Sequence, residues 1–415
     1  MKIWLINHYA VPPLYYPLAR PSLFAKNLIK MGHDVTIIAA STVHNSESLN
    51  LIHNGEKVKK ITDDGIPYVL INCKPYKGNG KDRVVNILQF AKRLPRVLDT
   101  LEKPDAIVAT SFDPLTCYEG VKYAKKHGIC AIAEIADLWP ETLVVYNGVS
   151  RNNPIVRYLR RVEKKIYSEA DRVVFTAAGE YDYIKEQGWE KELPKRKFGY
   201  INNGIDIELF DHNKEQFITH DPDLDNEDLF KVVYTGSIRK VNDVGGILDV
   251  AKCIRNERIK FLIWGGGDEL EGLQKRVENE KIKNVVFKGQ VEKKYIPYIT
   301  SRANLNYAHN QPSPLFKYGI SFNKIFDYLA AGKPILCDFK CEFNPVLMGS
   351  AGVSVDSANP EEIAKQIESL SEMNDERYRL YCDNARKTAE EYDFKILTKK
   401  LLQMIYECDM EGLKE

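Results

Sequence analysis

The stretch KIWLINHYAVPPLYYPLARPSLFAKNLIKMGHDVTIIAA, residues 2–40, decides the fold. Residues 2–7 are a short apolar run of strand type. Residues 21–31 carry Leu23, Phe24, Leu28 and Ile29 at three-to-four spacing, which predicts a helix with one apolar stripe, and Gly32 ends it. His33 and Asp34 then lead into a second apolar run, 35–40. Strand, helix and strand in that order predict a βαβ unit and a parallel sheet covered on both faces.

Outward from that unit the rhythm repeats. Runs at 68–72, 106–110, 131–135, 172–176 and 197–201 read as strands, and 84–98, 118–126, 155–168 and 180–187 as helices. The polar, acidic run HNKEQFITHDPDLDNE, residues 212–227, interrupts the rhythm and reads as a linker. The pattern restarts with strands at 231–235, 260–264, 285–288, 305–308 and 334–337. Between them lie helices at 245–254, 269–278, 295–302 and 323–331, and two late helices follow at 376–391 and 394–408. The expectation is an α/β fold of two Rossmann-like domains, 1–215 and 216–390, with a C-terminal helix, 391–415, packing back on the first.

Composition fits that division. A chain of 415 residues is too long for one ordinary core. Hydrophobic residues at 44% and charged residues at 28% mark a globular chain rather than a disordered one. Lys and Arg number 59 against 58 Asp and Glu, so the net charge of +1 speaks against a nucleic-acid partner. No apolar run approaches the roughly 20 residues that span a bilayer, and the opening residues are too short an apolar core for a signal peptide. The eight cysteines form no CxxC pair and no His/Cys cluster, a spacing that predicts reduced thiols in a cytoplasmic protein and no zinc site.

Ligands of doubly wound sheets gather at the carboxyl ends of strands, near helix N-termini. Three segments stand there. Trp264-Gly265-Gly266-Gly267-Asp268 invites a dinucleotide reading, but the third glycine of GxGxxG would fall at Leu270, so a tight turn beside a ligand or neighbouring backbone is the better account. Tyr234-Thr235-Gly236-Ser237-Ile238-Arg239-Lys240 places two cations after a strand, fit for phosphate or for a solvated turn. The third segment, 317–334, is KYGISFNKIFDYLAAGKP. Ser321 or Asn323 can cap its helix, while Lys324 and Asp327 share one face. A helix start with Ser and Lys suits a diphosphate, and a carboxylate one turn on suits a ribose diol.

These segments resemble the retaining nucleotide-sugar glycosyltransferases of family 4, which have the GT-B fold. The bacterial branch that adds N-acetylated sugars to surface polysaccharides, in lipopolysaccharide or capsule synthesis, is the most similar. Other residues of the resemblance are Gly32-His33-Asp34-Val35, Asp137-Leu138-Trp139-Pro140-Glu141, Glu169-Ala170-Asp171, Asn203-Gly204-Ile205-Asp206 and Lys288-Gly289-Gln290-Val291.

The resemblance implies two domains facing each other across a cleft. The second would take a nucleotide-diphosphate sugar, most simply UDP-linked, and the first a glycan or polyprenyl-diphosphate-linked acceptor. Gly289, Gln290 and Val291 would meet the base through backbone groups, and Asp327 the ribose. Arg239, Lys240, Ser321, Asn323 and Lys324 would surround the diphosphate, beside Gly236, Ser237, Gly266, Lys317 and Gly319. Lys324 and Arg239, with Asp137 and Glu141, would be the catalytic set. No metal and no cofactor beyond the donor substrate are implied.

Three departures stand out. Gly319 replaces the first of two family glutamates, with Lys317 or Tyr318 near enough to compensate. Ser237 replaces an arginine, leaving the charge to Arg239 or Lys240. The bulky run 11–20 replaces a Gly-Gly loop, so Tyr15, Tyr16 and Arg20, with His8 and Trp139, become acceptor-side candidates. His309, after a strand of the second half, is a further candidate.

The basic apolar run RVVNILQFAKRLPR, 83–96, and the basic face of Arg157, Arg160, Arg161, Lys164 and Lys165 match helices that lie on anionic lipid. Contact with the cytoplasmic face of the inner membrane is the corresponding expectation. A nucleotide-sugar 2-epimerase of the GT-B fold and a catalytically weakened sugar-nucleotide-binding protein are the alternative functions.

Overall fold

The structure, a computed structural model, describes residues 1–16, 19–44, 46–53 and 55–412. The chain forms two compact units, Met1–Asn202 with Leu397–Glu415, and Asn203–Ile396.

The first unit holds β1 (Lys2–Ile6), α1 (Ala19–Lys30), β2 (Asp34–Ala40), β3 (Val58–Asp63), β4 (Ile66–Ile71), α2 (Lys81–Leu98), β5 (Ala106–Thr110) and α3 (Pro114–His127). It continues with β6 (Cys130–Ile135), α4 (Glu141–Asn147), α5 (Pro154–Glu169), β7 (Arg172–Phe175), α6 (Glu180–Glu186) and β8 (Phe198–Tyr200). The sheet order is β3-β4-β2-β1-β5-β6-β7-β8, parallel except for the β3–β4 hairpin at the edge. Strands with helices on both faces lose their polar alternation, and all five residues of β5 are buried. Strand β3 was missed in sequence because Val-Lys-Lys-Ile-Thr-Asp is half exposed and carries no apolar run.

The second unit holds α7 (Ile207–Gln216), β9 (Phe230–Thr235), α8 (Val244–Cys253), β10 (Ile259–Trp264), α9 (Leu270–Asn279), β11 (Val285–Gly289), α10 (Ile296–Ser301), β12 (Leu305–Ala308) and α11 (Asn323–Ala330). Then come β13 (Ile335–Cys337), α12 (Pro345–Met348), β14 (Gly352–Ser354), α13 (Pro360–Ser371) and α14 (Asp375–Glu391), while α15 (Phe394–Gly412) starts here and enters the first unit at Leu397. The sheet runs β11-β10-β9-β12-β13-β14, all parallel.

The unit boundaries differ from the expected 215/216 and 390/391. The junction lies at 202/203 because residues 203–216 are tied to α14 and the start of α15. Ile205 bridges Asp393, Arg386 pairs with Asp211 at 2.5 Å, and Lys395 with Glu208 at 2.8 Å. The run 212–227 is no linker. Its first residues complete α7, Leu224 is fully buried, and Asp221 and Asp223 clamp Lys288 of β11 at 2.7 and 2.6 Å. Acidic composition there reports ion pairing along one side of the sheet.

On α2 the buried stripe is Asn86, Phe90, Ala91, Leu94, Val97 and Leu98, and Val84, Val85 and Leu88 face outward at 55%, 38% and 51% exposure. Arg83 departs from the expected basic face, turning to the Tyr9 hydroxyl and to Asn79 Oδ1. Arg160 and Lys164 likewise leave the lipid-facing set for ion pairs with Glu141 and Glu192. No helix among the described residues is long and apolar enough to cross a membrane.

Candidate functional site

In the second unit the strand ends are stitched together by backbone. The Gly236 N–H donates to the Trp264 carbonyl at 3.0 Å, Gly265 N–H to Gly289 at 2.9 Å, and Ile238 N–H to Gly266 at 2.9 Å. A Cβ on Gly265 would lie 1.8 Å from the Gly236 oxygen, and one on Gly267 would lie 2.0 Å from that of Ile238. The glycine run therefore permits close approach of neighbouring backbone, the second of its two sequence readings. A Cβ on Gly266 would meet the Gln290 side-chain oxygen at 3.0 Å, so Gly236, Gly266, Gly289 and Gln290 share one rim, with Val291 packed beside Trp264.

Beside that rim, Lys324 enters at the first turn of α11. Its ammonium donates to the His309 carbonyl at 3.1 Å and the Tyr234 hydroxyl at 3.2 Å, and lies 4.4 Å from the centre of the Tyr234 ring. Burial lowers its pKa to about 8 against the opposing charge of Asp338. Phe322 is the N-cap of α11 and no side chain caps it, so neither Ser321 nor Asn323 takes the expected capping role. Ser321 is held instead by Asn203, whose side-chain N–H donates to the Ser321 carbonyl at 2.8 Å, and Asn323 is exposed. The leading N–H groups of this helix are thus left for an anion.

One turn on, Asp327 is half-buried, with no hydrogen bond or ion pair from the described residues. Burial raises its pKa and Lys293 opposes that shift. A crowded carboxylate without donors is poised for a ligand that brings them. Arg239 and Lys240 are exposed and without partners among the described residues. Their loop is fixed by Asn242, whose side-chain N–H bonds the Ser237 carbonyl at 2.7 Å. Lys317 is exposed over the Tyr318 ring at 4.7 Å. Gly319 sits at φ 112°, ψ 177°, a region open essentially to glycine alone. The missing glutamate is therefore a change of backbone path as well as of side chain.

Under Lys324 lies a group that sequence reading found only in part. His309 contacts the Asp338 carboxylate through Nδ1 and the Asp243 carbonyl through Nε2 at 2.6 Å. Both partners accept, so the ring donates from both nitrogens and is a cation. Burial works against that charge, but Asp338 and Asp243 prevail and raise the pKa. Tyr307 donates to the same Asp338 oxygen at 2.6 Å. Both His309 ring nitrogens are thus engaged within the protein. Asp338 was legible only as a carboxylate just past the strand 334–337.

The first-unit candidates divide differently. Arg20, expected on the acceptor side, is turned into the fold. It pairs with Glu134 at 2.9 Å and donates to the Asn202 and Ile201 carbonyls at 2.6 and 2.8 Å. His8 is 1% exposed, with Nε2 on Asn86 Oδ1 at 2.5 Å and Nδ1 3.4 Å from Asp113, so it braces the end of β1 rather than meeting an acceptor. Glu141 is buried between Arg151 and Arg160 and is an ion-pair partner, not a free acid or base. Tyr15 is exposed and Tyr16 stands edge-on to His44; Pro17 and Leu18 of the same run lie outside the described residues.

Asp137 is exposed yet crowded. The surrounding protein raises its pKa and the Arg83 charge opposes it. The Trp139 indole nitrogen is buried without a hydrogen bond. Glu180, which sequence reading passed over, is buried with one oxygen unpaired, and burial followed by the charges of Asp137 and Glu163 raises its pKa well above the usual range.

Both units match known proteins. The family model described as Glycosyltransferase Family 4 matches residues 23–209, and the model described as Glycosyl transferases group 1 matches residues 216–388. TuaH of Bacillus subtilis, a glycosyltransferase named for teichuronic acid biosynthesis, is 25% identical over 49% of this chain and 49% of its own length. The chain thus spans about half the length of that curated relative. Sucrose-phosphate synthase from Thermosynechococcus elongatus has a TM-score of 0.74 at 15% identity, covering 99% of this chain and 100% of its own. HepE from Anabaena, solved in complex with UDP-glucose, has a TM-score of 0.65 at 14% identity, over 98% and 100% of the two chains. With two adjoining models matched in the order of its two parallel-sheet units, the chain belongs to the family 4 glycosyltransferases of the GT-B fold.

Proposed function

We propose that this chain is a metal-independent, retaining glycosyltransferase that moves an N-acetylated sugar from a UDP-linked donor to a glycan or polyprenyl-diphosphate-linked acceptor in bacterial surface-polysaccharide synthesis. The observation that carries the reading is the uncapped start of α11, with Lys324 on its first turn and the unpaired Asp327 on its second. Naming uridine draws on the Anabaena neighbour, described in complex with UDP-glucose. In this reading Asp327 takes the two ribose hydroxyls. Lys324, Arg239, Lys240 and the α11 N–H groups take the diphosphate, and Gly289 to Val291 the base.

The acceptor oxygen attacks the anomeric carbon on the face that the diphosphate leaves, as the carbon–oxygen bond to phosphate breaks. The acceptor's proton passes to an oxygen of the departing diphosphate. Charge grows on that leaving group, so the cations matter most at the transition state. Asp137, beside Arg83, orients the acceptor hydroxyl. Exposed Val84, Val85 and Leu88 on α2, with Ile155 and Tyr158 on α5 among Arg157, Arg161 and Lys165, suit an anionic lipid surface.

One experiment reads donor, stereochemistry and surface together. The protein, with chelator present, is given UDP-N-acetylhexosamines and a polyprenyl-diphosphate sugar in phosphatidylglycerol-containing vesicles. NMR is expected to show product with the donor's anomeric configuration, and flotation to show protein on the vesicles. An inverted product, or turnover that needs added Mg2+ or Mn2+, overturns the mechanism. Protein left off the vesicles removes the membrane reading alone.

A further inference from the structure

The fold assembles a ligand set that sequence spacing concealed. Cys130 opens β6, Asp171 immediately precedes β7, and Cys408 lies late on α15. Their two sulfurs and a carboxylate oxygen all lie within 4.8 Å of one another. We propose that this triad is a structural site for a thiophilic divalent cation of the zinc class, with water as fourth ligand.

The chemistry of the set favours it. Zinc takes thiolate, carboxylate and water in a tetrahedron with Zn–S near 2.3 Å, which separates two sulfurs by about 3.8 Å. Closing the present set therefore requires shifts of no more than about 1 Å. Asp171 already receives the Ala131 N–H at 2.7 Å, the outer hydrogen bond that orients a ligating carboxylate. The Cys130 thiol faces the Ile405 carbonyl of α15 at 3.9 Å, and the Cys408 thiol the Met404 carbonyl of its own helix at 3.3 Å.

Asp171 is exposed and Cys130 partly so, which leaves an entry path. The ligands come from three distant points of the chain, so the ion would fasten the returning helix α15 to its sheet, where loop-closure entropy makes a cross-link most effective.

The test uses the whole, reduced, chelator-stripped protein titrated with Co2+ and then Zn2+. One Co2+ per chain is expected, with thiolate charge-transfer absorption and tetrahedral visible bands. Zn2+ should erase these bands and raise Tm. Cys130→Ser and Cys408→Ser should each abolish the charge-transfer band, and Asp171→Asn should weaken binding at least tenfold. UDP affinity should be unchanged in all three variants, so the outcome is independent of the transferase reading. No band in the reduced wild type, or a band that survives in both cysteine variants, overturns the site. A protein that without reductant loses two titratable thiols and takes up no metal shows a disulfide instead, and also overturns it.

Discussion

Lys324→Ala is expected to lower kcat by about 10²–10³-fold, with a much smaller change in melting temperature. The ammonium stands at the uncapped start of α11, where charge develops on a leaving diphosphate. Among the described residues it donates hydrogen bonds to a carbonyl and a phenol. Neither is a carboxylate, so the charge is held in readiness and little folding energy depends on it. Lysine buried beside an ion-pair partner would behave oppositely. Stopped assays on wild type and variant, with melting curves of both, separate the two cases. A kcat within threefold of wild type removes Lys324 from the transition state.

The same residue predicts a pH dependence. Its pKa is lowered to about 8 by burial, and a bound diphosphate raises it again by stabilising the charged form. Binding therefore takes up a proton above pH 8. Affinity for UDP should be level below that pH and fall by up to about tenfold per unit above it. In Lys324→Ala the slope should vanish.

The second large effect is on stability. Arg20→Ala is expected to cost about 3–5 kcal/mol in the unfolding of the first unit. Arg20 and Glu134 are 9% and 5% exposed, and the guanidinium also serves two carbonyls at the end of β8. Removing it leaves a buried carboxylate with, among the described residues, the Thr110 hydroxyl at 2.8 Å, and takes one donor from each of two carbonyls. Arg20→Lys should recover little, because one ammonium cannot reproduce a planar fork spread over three acceptors. Urea unfolding followed by far-UV circular dichroism checks this. A loss below 1 kcal/mol would return Arg20 to the ligand-facing residues.

Arg20 also shows what a sequence can and cannot disclose. The alternation of strand and helix was legible because burial on both faces of a parallel sheet demands apolar runs, as in Ile3 to Ile6 and Ala106 to Ala109. Local patterns likewise placed Lys324 and Asp327 on one face of one helix. Partnership across the chain was not legible. Nothing near Glu141 announces Arg160, nothing near His8 announces Asn86, and no spacing rule joins Cys130 to Cys408. A charged residue in a loop reads as available until the fold supplies its counter-charge. The acidic run 212–227 misled for the same reason, since Asp221 and Asp223 answer lysines on β10 and β11.

The most direct measurement of the central claim, that the start of α11 holds a nucleoside diphosphate, is calorimetric titration of UDP into wild type and Asp327→Ala, with NAD as control. Loss of a carboxylate's hydrogen bonds to a diol corresponds to about 1.5–3 kcal/mol, or roughly ten- to a hundredfold in Kd. The account predicts saturable UDP binding by wild type, that loss in Asp327→Ala with the fold intact, and no heat from NAD. Equal UDP affinity in the two proteins, or binding of NAD in place of UDP, would contradict it.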